Sequence, residues 1–306
     1  MPAKQSPPPA DACRVIGNHG RHVNGVSYAD ATRVLSTSMG GRGQDQIILW
    51  DVASATRLAG FRTTGGSVCW YAEMAPDGKT VAAGFGDCIV RLWDTSTNEA
   101  TELAKLGGIV ASLAWSKDGK HLFTGNCGDR TVRLWDVGSR TVVAEAKVKK
   151  SAAWFAALSP DGSRAVSGYG DKQVHVWDPR AGLEVAALEG HTGRILGLCF
   201  FPDGTRVASA SQDKTARVWD LRTGKTLAIL EGHRKQVTWI AVAPDGERVA
   251  SASGDGTIRV WSVAGSEPTR VISLGATRAA SVAFSPSGRE LVAGCDDSLV
   301  RVFACD

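Results

Sequence analysis

Residues 191–220 read HTGRILGLCFFPDGTRVASASQDKTARVWD, and this stretch decides the fold. Pro202-Asp203-Gly204 is a reversal signal, because proline presets φ for the turn and glycine accepts a positive φ without steric cost. It is followed by a strand of small residues, VASAS (207–211), and by ARVWD (216–220), in which β-branched and polar positions alternate up to Trp219. A further apolar strand, KTLAIL (225–230), follows the tryptophan. Short strands separated by tight turns are implied, and no segment holds a 3.6-residue apolar period for three turns.

The same phrase recurs along the chain. Residues 233–262 read HRKQVTWIAVAPDGERVASASGDGTIRVWS, and a large aromatic closes a comparable strand at Trp50, Trp93, Trp135, Trp177, Trp219, Trp261 and Phe303, spaced by 43 and then five times by 42 residues. Upstream of the last six anchors lie turn signals beginning at Pro76, Lys117, Pro160, Pro202, Pro244 and Pro286. Four short strands in each period, seven times over, predict an all-β, seven-bladed propeller over residues 11–306. The third strand of the seventh repeat ends in RVFACD, so its outer strand must come from elsewhere. Ala12–Ile16 precedes Asn18-His19 much as LAIL precedes His233, and the N-terminal segment is expected to supply it.

The chain resembles the WD40-repeat family over nearly its whole length. That resemblance implies a tetrad in each blade: histidine before the first strand, serine or threonine in the second, aspartate in the next turn and tryptophan in the third. The set is complete as His191, Ser209, Asp213 and Trp219, and again as His233, Ser251, Asp255 and Trp261. Elsewhere it is degenerate. The first blade has His19 and Ser36, but an insertion at Met39–Gln44 displaces its aspartate to Asp45; the histidine position holds Gly65, Lys149 and Gly275 in blades two, four and seven, and Leu106 or Gly107 in blade three. Asp87, Asp129, Asp171 and Asp297 are left without histidines and are expected to face water or backbone amides.

Composition narrows the function. The 35 glycines and 10 tryptophans among 306 residues suit many turns around aromatic anchors, and a net charge of +4 gives no strong field toward nucleic acid or an acidic membrane. Seven cysteines, Cys13, Cys69, Cys88, Cys127, Cys199, Cys295 and Cys305, show no CxxC pair and read as reduced core thiols of an intracellular, cytoplasmic protein, a nuclear one not being excluded. Residues 1–10, with Pro7, Pro8 and Pro9, read as a disordered or extended tail without the apolar core of a signal peptide, and no apolar run is long enough to span a bilayer.

A screen for catalysis finds no HExxH, GxSxG or CxxC; His22, His121 and His175 show no ligand spacing; and GGRGQDQ (40–46) precedes a strand rather than the helix a phosphate loop needs. No enzyme activity, cofactor or metal site is expected. The resemblance instead implies an interaction scaffold, binding protein or peptide partners on one rim of the channel. On that rim the position five residues after the tetrad histidine holds Asn24, Trp70, Ala111, Trp154, Leu196, Thr238 and Ala280. Phe85 and Tyr169, two residues before Asp87 and Asp171, fall in the same blades as Trp70 and Trp154, so two aromatic pairs could flank the mouth or fill the space of the missing histidines. Basic residues on that face, Arg21, Lys149, Lys150, Arg194, Arg234, Lys235 and Arg278, leave a phospho-ligand or nucleic-acid reading as the alternative. Trp115 reads as core, and Trp239 as either core or surface. Alone the protein is expected to be a monomer, or else a subunit of a hetero-complex.

Overall fold

The turns reverse the chain where the sequence places them: Gly204 and Gly246 sit at φ 69° and 70°, a conformation that costs glycine little and other residues much. A computed structural model describes residues 13–40, 44–63, 65–148, 154–168 and 170–305, so the tail at 1–10, Lys149, Lys150 and Tyr169 lie outside the described residues. The described strands form seven four-stranded antiparallel sheets, arranged as the blades of a ring. Within blade six the order is that of the chain: Val237–Val242 innermost, then Arg248–Ser253, Thr257–Ser262 and Pro268–Ser273. Blade seven departs from this. Its outer strand is Cys13–Asn18, paired antiparallel to Leu299–Ala304 with Cys13 opposite Phe303 and Asn18 opposite Leu299, as the sequence led one to expect.

The core lies between blades. Ala250, Ala252 and Ile258 of blade six pack with Val282, Phe284 and Leu291 of blade seven, and the small residues of the second strands let adjacent sheets approach closely. Ile16 joins Val26, Trp50 and Val300, so the closing strand is also buried between the last blade and the first. Below the ring, Arg206 is held by Asp203 at 2.6 Å and donates to the Gly246 carbonyl at 3.2 Å; Arg248 repeats the latch from Asp245 to Gly288. Trp115 is buried, as read from the sequence.

Both complete tetrads form. His191 bridges Asp213 at 2.7 Å and Ser209 at 2.7 Å, and the Trp219 indole N–H donates to Ser209 at 2.8 Å. His233, Asp255, Ser251 and Trp261 repeat these contacts at 2.8–2.9 Å. Burial alone would raise the Asp213 carboxyl pKa, but bonds from His191, Thr215 and the Thr192 N–H outweigh it and hold the group well below the usual carboxylate range. In blade one the network stops at His19–Ser36–Trp50: Asp45 pairs with Arg57 instead, His19 Nδ1 finds no partner among the described residues, and burial lowers its pKa to about 4.

The four remaining turn aspartates correct the sequence reading. They do accept backbone N–H groups, but each is also held by a cationic or ionisable side chain four residues on. Asp87 takes both Arg91 nitrogens at 3.0 and 2.8 Å, Asp129 takes Arg133 at 2.8 Å, and Asp297 takes Arg301 at 2.7 and 2.5 Å. Where the tetrad histidine is present, the corresponding Arg217 and Arg259 lie over Trp219 and Trp261 at 5.7 and 5.9 Å. The arginine thus replaces the histidine as partner of the aspartate.

Blade four places His175 at the arginine position, bonded to Asp171 at 2.9 Å and to Glu184 on the outer strand at 2.8 Å. Burial opposes protonation, yet the two carboxylates prevail and raise its pKa. A raised folded value means that the contribution to stability is full below the free-histidine value of about 6.5 and is lost as pH rises through the folded pKa. His175→Arg, restoring the residue found in blades two, three and seven, should remove this dependence. Parallel thermal melts from pH 6 to 8.5 should show the native protein falling behind the variant by a few degrees; parallel curves would exclude a charged His175.

Candidate functional site

The inner strands carry a repeated irregularity that creates the channel mouth. In six blades the ladder between inner and second strands slips at its start, between Val23 and Gly25, Cys69 and Tyr71, Val110 and Ser112, Ile195 and Gly197, Val237 and Trp239, and Ala279 and Ser281. The residues skipped are Asn24, Trp70, Ala111, Leu196, Thr238 and Ala280. A bulge of this kind re-aims a side chain, here toward the axis. Together with Trp154, which precedes the inner strand Phe155–Leu158, these six residues line one depression of about 260 Å³, with Phe155 and Trp239 as its floor. All seven rim positions counted from the sequence therefore converge.

Two of the seven dominate the surface offered. Trp70 and Trp154 are half-buried and meet edge to face, with ring centroids 5.5 Å apart at 81°. The Trp70 indole N–H finds no acceptor among the described residues. Asn24 and Thr238, by contrast, are bound into the ring: the Asn24 amide donates to the carbonyls of Cys69 and Trp70 at 2.8 and 3.0 Å, and the Thr238 hydroxyl lies 3.1 and 3.2 Å from the carbonyls of Ala252 and Ala279. Asn24 is thus a clasp between blades one and two rather than a group held out to a partner.

Phe85 is a second correction. It is fully buried, packed on Trp93 at 5.7 Å with the Arg91 guanidinium 5.0 Å from its ring, so it fills the interior of blade two and is not offered at the mouth. Its place beside Trp70 is taken by Trp154 from two blades away. Tyr169 lies outside the described residues.

The basic positions do not form one patch of unpaired charge. Arg278 pairs with Asp296 at 2.5 Å, the same carboxylate accepts from or pairs with His22 at 2.7 Å, and Arg21 donates to Gln44 at 3.0 Å. Arg194, Arg234 and Lys235 are exposed on the loops of blades five and six. Burial pushes the thiols of Cys199 and Cys295 up to about 11, which leaves them protonated and unreactive near neutrality. No helix among the described residues is long and apolar enough to cross a membrane, and no described group of three or more His, Cys, Asp or Glu residues could hold a metal ion.

Below the mouth the channel narrows to a septum that sequence reasoning missed. Tyr71 stacks on Trp239 with centroids 5.5 Å apart, and Phe155 meets the same tryptophan at 6.0 Å. These three aromatics occupy equivalent places on their strands, one residue past the rim position and, for Tyr71 and Trp239, just past the bulge, where other blades have Gly25, Ser112, Gly197 and Ser281. The alternation of large and small residues closes a seven-stranded pore that none of them fills alone. Trp239, which the sequence left open, belongs to this septum.

A family model described as WD domain, G-beta repeat matches residues 60–94, 101–136, 146–178, 182–220, 224–262 and 270–303, more than half of the chain. Each match begins in or just before the outer strand of one blade and ends at or one residue past the anchor of the next, and the first three strands of blade one, with its insertion, are not matched. No curated protein matches the chain.

Proposed function

The chain belongs to the WD40-repeat family, and from that premise we propose that it is an intracellular, non-catalytic scaffold that holds a protein or peptide partner in the depression at the channel mouth. Propellers of this family are generally interaction scaffolds. What supports this particular face is the edge-to-face pair of Trp70 and Trp154 at the centre of a concave, mostly apolar rim. Tryptophan supplies a large contact area at small conformational cost, and hot spots of interfaces concentrate in such pockets. The septum gives the depression a floor, which suits one inserted apolar or aromatic side chain rather than a threaded segment. Charged loops around the rim would then orient the partner without dominating affinity.

The test is quantitative capture from the native cells by the wild-type protein, by Trp154→Ala, by Trp70→Ala/Trp154→Ala and by Arg194→Glu/Lys235→Glu, after melting curves show that all are folded. Partners should be lost from the tryptophan variants, by roughly 2 kcal/mol of binding free energy or more for a hot-spot residue, and weakened only modestly by the charge reversal. Partners that survive loss of both tryptophans but disappear with the charge reversal, or that bind with steep salt dependence, would overturn the reading in favour of a phospho-ligand or nucleic acid on the basic loops. Retention by every variant would move the interface to the outer strands, where Leu58, Leu183 and Leu227 are exposed.

A further inference from the structure

On the far side of the septum the channel opens into a second chamber of about 240 Å³. Ala114, Ala157, Leu198 and Cys199 line it, together with Tyr71, Phe155 and Trp239 of the septum. One ionisable carboxylate stands in it. Glu73, on the inner strand of blade two, projects toward the axis two residues below Tyr71, and its Oε2 accepts the Trp115 backbone N–H at 3.3 Å. No cation faces it among the described residues, unlike the turn aspartates Asp87, Asp129, Asp171 and Asp297, which are held by Arg91, Arg133, His175 and Arg301. A second polar residue lines the same chamber. Ser112, 5% exposed, lines the chamber, and its Oγ has no hydrogen-bond partner among the described residues.

A carboxylate with only one oxygen bonded to the protein, beside a buried hydroxyl with no partner among the described residues, is costly unless a ligand completes the set. The ligand must be cationic to match the carboxylate, and it must carry apolar surface to match the walls. A divalent metal is excluded by the donor set, since one carboxylate and one hydroxyl are far fewer than the oxygen ligands that such an ion needs. A guanidinium binds a carboxylate best through both oxygens, and one of these is already taken by Trp115. An ammonium needs only the free Oε1 and a second acceptor, and its alkyl stem and adjacent methylenes suit aromatic faces.

The geometry points to this lower chamber as a binding site for an alkylammonium group, with Glu73 as its counter-charge, Ser112 Oγ as a second acceptor, and Tyr71, Phe155 and Trp239 as the apolar roof. The site lies opposite the tryptophan pair across the septum and does not depend on what the upper mouth binds. Burial raises the Glu73 pKa to about 7. The other titratable groups facing it are Tyr71 and Cys199, and burial raises both, Cys199 to about 11, so neither changes charge near neutrality. An amine stays protonated there, so affinity should grow as pH rises from 6 to 8 and the carboxyl ionises.

The experiment is calorimetric titration of the full chain with n-butylammonium chloride, with n-butanol as the neutral isostere, and with the capped peptide Gly-Gly-Lys-Gly-Gly. Saturable binding of butylammonium is expected, at least tenfold weaker in Glu73→Gln, abolished in Ala157→Leu, which fills the chamber without touching charge, and undiminished in Trp154→Ala. Butanol should not bind. Tighter binding of the peptide than of the amine would identify the ligand as a lysine side chain of a partner entering from below; binding of the amine alone would identify free amines. Absence of butylammonium binding by the folded wild-type protein overturns the inference, as does equal binding by a Glu73→Gln variant of unchanged melting temperature or an affinity independent of pH.

Discussion

Removal of residues 1–16 should collapse the cooperative thermal transition of the ring and leave a protein that aggregates on mild heating. The truncation takes Cys13 to Ile16 from the strand that closes blade seven. Three losses then act together. Ile16 leaves a site where it is 2% exposed, a loss of about 2–4 kcal/mol. The ladder to Leu299–Ala304 loses hydrogen bonds that contribute on the order of 1 kcal/mol each. Most important, the third strand of blade seven becomes a free edge, a template for pairing with another chain. Against a total stability of about 5–15 kcal/mol, these terms are decisive. Removing residues 1–9, which leaves the strand intact, should change neither the melting curve nor light scattering. Equal behaviour of the two truncations would mean that the ring holds without its closing strand.

The closing strand could be read from the sequence because a ring counts its own strands: seven anchors, and a last repeat that ends one strand short. The rim was legible for a similar reason, since its seven positions are fixed by counting from one point in each repeat. What lay beneath the rim was not. The bulge inserts one residue before Tyr71 and Trp239 and so reverses the simple in-and-out alternation, which hides that these side chains meet over the axis. Phe85 was misplaced because the second strand of a blade is covered on both faces by its neighbours, and an aromatic at its end packs inward as readily as it would face the mouth. The arginine partners of Asp87, Asp129 and Asp297 stood in plain view in IVRLW, TVRLW and LVRVF; their meaning required knowing that residues four apart along this turn and strand come within hydrogen-bond reach.

That exchange of partners sets the size of the second effect. Asp213→Ala should lower the melting temperature by about 10 °C, whereas Asp87→Ala should lower it by no more than about 3 °C. In the first case the His191 side chain is wholly buried and the carboxylate is 7% exposed, so truncation strands an imidazole nitrogen and also leaves Thr215 and the Thr192 N–H without their acceptor. Breaking a buried pair by removing one partner costs about 3–5 kcal/mol. In the second case Asp87 is 31% exposed, and although the Arg91 side chain is only 12% exposed, its guanidinium still lies 3.7 Å from Glu102 and 5.0 Å from the Phe85 ring, so its charge is not stranded; a partly exposed pair of that kind contributes about 1 kcal/mol or less. The two blades also predict a sign that distinguishes a network from a sum of contacts. Replacing His191 together with Asp213 by apolar residues removes both halves of the pair and should cost less than Asp213→Ala alone, because the buried imidazole is then not left unmatched, while Thr215 and the Thr192 N–H lose their acceptor in both variants. A double variant less stable than the single one would show that the tetrad contributes more than the avoidance of its own unsatisfied groups.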